Sequence, residues 1–275
     1  MLMDPKWRRL LIGELSWARL GRSLLFIYTF FALYVFFMAD RMMFVPQPVS
    51  YELTPDMMAI ATPNAQIIRA IHRPNPEATH TILYSHGNAE DLGDIAPILD
   101  IIYNAGFSVF AYDYRGYGQS EGRPSETNAY EDIEAAYQHL IAVEQIPPEQ
   151  IILLGRSIGG GPSVELATRY PVGGLILEST FTQAFRTVVP FPLLPFDKFR
   201  NIAKIDQVKA PILIIHGTAD EAIAFSHGQQ LYEAAPEPKR SLWVEGAGHN
   251  DLVWVAGEKY PETLQAFSQL LTAQD

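Results

Sequence analysis

Three residues have the types and the chain order needed for nucleophilic acyl chemistry: Ser157, Asp220 and His249. Ser157 is the centre of Gly155-Arg156-Ser157-Ile158-Gly159, which follows the apolar run Ile151 to Leu154 and precedes a stretch of small residues. A strand, a sharp turn and a helix in that order expose a serine hydroxyl at a sheet edge. Glycine suits both flanks because a Cβ there would collide with neighbouring backbone in a strained turn. Serine at its ordinary pKa is a weak nucleophile, so it needs a base, and the base needs an orienting acid. Asp220 ends His216-Gly217-Thr218-Ala219-Asp220, beyond the apolar run Ile212 to Ile215. His249 ends Glu245-Gly246-Ala247-Gly248-His249, beyond Leu242 to Val244. The five-residue pattern is common by itself. Three residues in the order nucleophile, acid, base, each at a strand end, are not.

The tetrahedral oxyanion of such a reaction needs two preorganised donors. The N–H of Ile158, directly after the nucleophile, is one. The N–H of Asn88 in His86-Gly87-Asn88 is the other, with Gly87 allowing close backbone approach to the substrate. Competing residues are weaker: Glu221 points elsewhere after a one-residue step, His216 belongs to the strand end and bonds backbone, and His227 opens a helix. His72, His80 and His139 have no motif around them, and no histidine pair has metal-ligand spacing such as H-E-x-x-H. With no cysteine there is no thiolate site, no disulfide and no cysteine nucleophile. Neither a metal nor a cofactor is expected. Asp113-Tyr114-Arg115-Gly116-Tyr117-Gly118 lacks the third glycine of a dinucleotide fingerprint, since Glu121 stands there, and reads as a shaped turn that Arg115 steadies.

The elements that must position these residues alternate. Met57–Ala61 and Gln66–Ile71 read as a hairpin through Pro63-Asn64. Short apolar strands at Thr81–Ser85, Phe107–Tyr112, Ile151–Leu154, Leu175–Leu177, Pro211–Ile215 and Ser241–Val244 are separated by helical stretches near Asp94–Asn104, Asn128–Glu144, on to Arg169, and Glu258–Leu271. That rhythm predicts a mostly parallel sheet with helices on both faces and ligands outside the strands' carboxyl ends. Residues 181–201 break it with Phe181, Phe185, Phe191, Phe196, Phe199 and several prolines, as a lid does. Its rings either line an acyl pocket or pack the insertion onto the sheet.

A chain of 275 residues with 48% hydrophobic content suits one large domain and an appendage. Residues 1–41 hold Lys6, Arg8, Arg9, Arg19, Arg22 and Arg41 against Asp4, Glu14 and Asp40, a surplus of three, so the remainder carries −14 against the whole chain's −11. A body so acidic repels phosphates, which excludes nucleic acid as a partner. Leu24 to Ala39 contains no charge and spans about 24 Å as a helix, which approaches a bilayer core when Gly21–Ser23 is added and Arg19 and Arg22 snorkel. A signal peptide has the same layout, but Phe37-Met38-Ala39 sets a ring where cleavage wants a small residue. A core helix would not carry aromatics on every face. The run is read as an uncleaved anchor, in a segment 1–45 that precedes a catalytic domain over 46–275. The positive-inside rule leaves the N-terminus cytoplasmic and the body on the far side. The short run also leaves open a monotopic anchor, for which the Trp7 to Ile12 stretch would suit the interface.

Assembled, these residues resemble the serine α/β-hydrolases, and most the membrane-associated group that includes eukaryotic protein depalmitoylases. The likeness runs from about Leu83 onward, through Ser85-His86-Gly87-Asn88-Ala89, Tyr112 to Gly118, Pro124-Ser125-Glu126, the Ser157 pentapeptide, His216 to Glu221, Phe225-Ser226-His227-Gly228 and Trp243 to Asp251. It implies an α/β-hydrolase fold with Ser157 as nucleophile, Asp220 as acid and His249 as base. Two departures stand out: relatives carry a cysteine-rich, lipidated N-terminus where this chain has an apolar helix, and Arg156 replaces an uncharged polar residue, altering the rim of the site. Lack of cysteine together with the anchor suggests a bacterial homologue. The expectation is a membrane-anchored hydrolase of acyl ester or thioester bonds, acting on an acylated small molecule, lipid or acyl-protein. An aminopeptidase-like amidase on the same triad, and a non-catalytic binding module on a hydrolase fold, are the alternatives.

Overall fold

The apolar runs form one eight-stranded sheet in the computed structural model, which describes residues 16–272. In chain order the strands are β1 Met58–Ala61, β2 Ile67–Arg73, β3 Thr81–Ser85, β4 Ser108–Tyr112, β5 Ile151–Arg156, β6 Gly174–Glu178, β7 Ile212–Gly217 and β8 Lys239–Val244. They lie in the order β1-β2-β4-β3-β5-β6-β7-β8. The leading hairpin is antiparallel, as is β2 against β4, and every pairing from β4 to β8 is parallel. Strands β3 to β7 are buried along their whole length, which is why they read as continuous apolar runs rather than alternating ones.

The helices follow their strands. They are α1 Trp17–Met43, α2 Ala96–Asn104, α3 Glu126–Ala142, α4 Gly160–Arg169, α5 Ser226–Ala234, α6 Leu252–Ala256 and α7 Lys259–Thr272. Ser125 caps α3, its hydroxyl accepting the Asn128 N–H at 3.1 Å. One side of the sheet is filled by Leu99 and Ile102 of α2 and Leu264 and Phe267 of α7, packed on Ile82, Ile152, Ile176 and Leu213. The turn after β4 is shaped as expected, with Gly116 at φ 80° and Gly118 at φ 49°.

The chain divides into two units between Met43 and Phe44. In the first, α1 runs for 27 residues, about 40 Å of helix, well beyond the uncharged run because the backbone stays helical through Arg19 to Ser23 and Asp40 to Met43. Its best window has a mean hydropathy of 1.8, and Leu25, Phe26 and Phe37 are 65–72% exposed, so it is a candidate membrane anchor. The Trp7 to Ile12 stretch lies outside the described residues.

Of the two roles expected for the rings of residues 181–201, two rings take the packing one. Phe181 and Phe199 are buried, with Phe199 stacked edge-on against Phe44 and Tyr130. Val188 and Phe191 instead stand 83% and 58% exposed.

Candidate active site

Strand β5 continues past its apolar run to Arg156 and turns at once into a short 3-10 segment, Ser157–Gly159, and then α4. Ser157 sits at φ 53°, in the left-handed region that a non-glycine residue occupies at a cost of about 1–3 kcal/mol. The glycines explain how so sharp a turn packs. A Cβ on Gly155 would lie 2.4 Å from the Gly159 carbonyl oxygen, and one on Gly159 would lie 2.1 Å from the carbonyl oxygen of Ser85. The hydroxyl of Thr180, just beyond β6, donates to the Ser157 carbonyl at 2.6 Å and holds the elbow from below.

Three loops converge on the serine. His249 Nε2 is 3.2 Å from Ser157 Oγ, and His249 Nδ1 is 2.9 Å from Asp220 Oδ2. Asp220 Oδ1 also accepts the N–H groups of Ala222 and Ile223, at 3.0 and 2.7 Å. Burial works against its charge, but the bonds from His216, His249 and the Ile223 N–H outweigh that, and the carboxyl is held well below its usual range. The structure thus brings Ser157, Asp220 and His249 within hydrogen-bonding distance in sequence. His216 lies beneath them, Nε2 2.8 Å from the Ile223 carbonyl.

The oxyanion-side loop follows β3. Register pairs Ser85 with Gly155, which brings His86, Gly87 and Asn88 alongside the elbow. The Asn88 carboxamide oxygen accepts from the Val45 N–H at 3.0 Å, the Tyr117 hydroxyl at 2.5 Å and the Ala89 N–H at 3.1 Å. These bonds pin the carboxamide oxygen. His86 is fully buried, its Nδ1 2.7 Å from the Gly87 carbonyl and its Nε2 3.5 Å from Asp113.

Two expectations need correction. Arg156 is not at the rim: its side chain is 6% exposed and lies beneath the site. Gly87 does not simply clear a path for substrate, because a Cβ there would meet Glu90 Oε2 at 2.7 Å and Arg156 Nη1 at 2.8 Å. The guanidinium pairs with Glu90, stands 3.5 Å from Glu178, and donates to the His249 carbonyl at 3.1 Å and the Asn250 side chain at 3.0 Å. Burial works against this cation, and Tyr84, Glu90 and Glu178 outweigh it and raise its pKa. Burial likewise pushes the Glu178 carboxyl up, against the opposing pull of Arg156 and the Tyr260 hydroxyl at 2.6 Å. Glu90, Glu178 and Tyr260 carried no sequence signal beyond the need of a buried arginine for partners. Among the described residues no cluster of histidine and carboxylate groups has the geometry to hold a metal. Arg115 does steady its turn, through buried bonds to Asp132 and Glu131 of α3.

A mostly parallel sheet crossed by helices, with a strained serine elbow after its central strand β5, is the α/β-hydrolase fold. The model of the serine aminopeptidase S33 family matches residues 76–201. The chain is 45% identical over 205 residues to alpha/beta hydrolase domain-containing protein 17B of Xenopus tropicalis, and 44% identical over 205 residues to human 17B; each alignment covers 74% of this chain and 69% of the relative. It belongs to the family of alpha/beta hydrolase domain-containing 17 proteins and is a serine hydrolase. Solved esterases from Pyrococcus furiosus and Exiguobacterium antarcticum share its fold, with TM-scores of 0.69 and 0.60 at 19% and 18% identity. The first covers 82% of this chain and 98% of the esterase, the second 77% and 99%.

Proposed function

We propose that the chain is a membrane-anchored serine hydrolase of acyl ester or thioester bonds, working through Ser157, His249 and Asp220. The observation that carries this is the continuous path of two contacts, 3.2 Å from Ser157 Oγ to His249 and 2.9 Å from His249 to Asp220. His249 Nε2 takes the hydroxyl proton as Ser157 Oγ bonds to the substrate carbonyl carbon. Asp220 holds the resulting imidazolium through Nδ1–H. The N–H groups of Ile158 and Asn88 receive the oxyanion. Collapse breaks the bond to the leaving oxygen or sulfur, which takes the proton from His249. A water then gives its proton to His249, attacks the acyl-serine and releases the acid, and the imidazolium returns its proton to Ser157. This chemistry needs no cofactor. The exposed apolar surface of α1 supports anchoring, with acylated lipids or acyl-proteins at the bilayer as substrates and the N-terminus on the cytoplasmic side.

A fluorophosphonate probe should label the wild-type protein and not Ser157→Ala. Equal labelling of the variant overturns the nucleophile. The matched aminopeptidase model favours one second reading, an amidase on the same residues. Such an enzyme must bind a substrate amine, yet Glu90 and Glu178 are both engaged by Arg156. Turnover of p-nitrophenyl esters of graded chain length should exceed that of aminoacyl p-nitroanilides. The reverse order selects the amidase, and absence of Ser157-dependent turnover on either series selects a binding module.

A further inference from the structure

Resting on that reading of Ser157 and His249, we propose that Arg156 is a positioning residue that sets the oxyanion loop and the base loop relative to each other. It does so from directly beneath the nucleophile. Nη2 reaches forward to the base loop, donating to the His249 carbonyl at 3.1 Å and the Asn250 carboxamide at 3.0 Å. Nη1 reaches back to Glu90, whose second oxygen accepts the Gly87 N–H at 2.9 Å, one residue before Asn88. A single planar cation therefore spans from the backbone of the base to the backbone beside the oxyanion donor, with Glu90 as the relay.

The placement follows from the sheet. Register pairs Arg156 of β5 with Glu178 of β6, so the guanidinium stem is flanked by a carboxylate that Tyr260 of α7 fixes at 2.6 Å. Glycine at position 87 leaves the space that the Glu90–Arg156 pair fills. Lysine cannot substitute, since a point charge on a flexible stem cannot serve both loops in fixed directions. Displacing a reacting group by about 1 Å is enough to cost about 10²-fold in rate, and that is the scale at which this bridge should act.

The test uses the full chain, with p-nitrophenyl ester turnover, fluorophosphonate labelling rate and melting temperature measured together on Arg156→Gln, Arg156→Lys and Glu90→Gln. Arg156→Gln should lower kcat and labelling rate by about 10²-fold, with KM within about twofold of wild type. Arg156→Lys should recover only a small part. Glu90→Gln breaks the relay at a partly exposed carboxylate and should fold even where the Arg156 variants do not. It should cost about tenfold in kcat at an unchanged melting temperature. The Arg156→Gln, Glu90→Gln double variant should be no slower than Arg156→Gln, because both act through one bridge. Unchanged kcat in a folded Glu90→Gln, full rescue by lysine, or multiplicative losses in the double variant would each overturn the proposal. Ser157→Ala separates this from failure of the underlying reading: labelling that survives there condemns the nucleophile rather than the bridge.

Discussion

Two buried arginines close the ends of neighbouring parts of the sheet, and they do different work. Arg115 lies three residues beyond β4 and Arg156 ends β5; each meets two carboxylates and is almost wholly removed from solvent. The partners of Arg115 are all local. Nε bonds Asp132 at 2.6 Å, Nη2 bonds Glu131 at 2.8 Å and the Asn128 carbonyl at 2.9 Å, and its own N–H meets Asp132 at 2.9 Å. All of those acceptors belong to α3, so the group clamps one turn to one helix. Arg156 instead reaches loops 66 and 93 residues away in sequence. A local clamp holds an element whose loss costs stability. A long-range bridge joins loops already supported by their own strands, so its loss falls also on the alignment of reacting groups.

The largest effect on the site side should come from Asp220→Asn. The amide keeps the shape but favours the wrong imidazole tautomer, and kcat on p-nitrophenyl esters should fall by about 10⁴-fold with little change in melting temperature. A loss under tenfold would mean that His249 is oriented by something else, and the contrast drawn from the long-range bridge would lose its reference.

On the fold side, Arg115→Met should be the counterpart, costing about 3–5 kcal/mol in chemical denaturation because Asp132 is left buried and unpaired. Turnover per folded molecule should stay within about twofold of wild type at temperatures where the variant is folded. A kcat deficit there would erase the distinction between the two arginines. The pH dependence gives the claim a second edge. Burial pushes the Asp132 carboxyl up to about 7 even against the pull of Arg115. Between its ordinary value of 3.8 and that raised value the native state keeps a proton the unfolded chain has released, so this group adds stability as pH falls through the window. Without the guanidinium that effect grows. The deficit of Arg115→Met should therefore be flat below about pH 7, where both proteins keep the proton, and grow above it, where only the variant still does; a deficit that stays flat above about pH 7 would mean the charge of Asp132 is not its source.

The same contrast explains what the amino-acid sequence disclosed. The α/β architecture was legible because β3 to β7, buried on both faces, leave unbroken apolar runs between helix-period segments. The candidate site was legible because Ser157 and Asp220 lie just beyond such runs and His249 lies just beyond the short apolar end of β8, Leu242 to Val244. Glu90, Glu178 and Tyr260 were not, because what joins them to Arg156 is strand register, helix docking and the path of the loop after β3, none of which leaves a spacing in the chain. Hence Arg156 read as a rim residue. Helix α6 is five residues long, too short for a periodic signal, and its two buried leucine and valine positions follow the His249 motif without a visible boundary. The ends of α1 were misjudged for a different reason: charges at Arg19, Arg22, Asp40 and Arg41 bound the apolar run, but a helix is propagated by its backbone and passes through them.

The smallest expected effect tests how far the local clamp depends on its own helix. Ser125 caps α3 at Asn128, the same residue whose carbonyl receives Arg115 Nη2. Ser125→Ala removes one acceptor from the first turn and should cost about 1 kcal/mol. If clamp and cap stabilise the same turn, the double variant with Arg115→Met should lose less than the two single losses combined, because a helix start already freed by one change has less to lose from the other. Strict additivity would mean that Arg115 acts through Asp132 and Glu131 alone. Its job would then be to fix the turn after β4 against the middle of α3, and the first turn of that helix would stand on its cap.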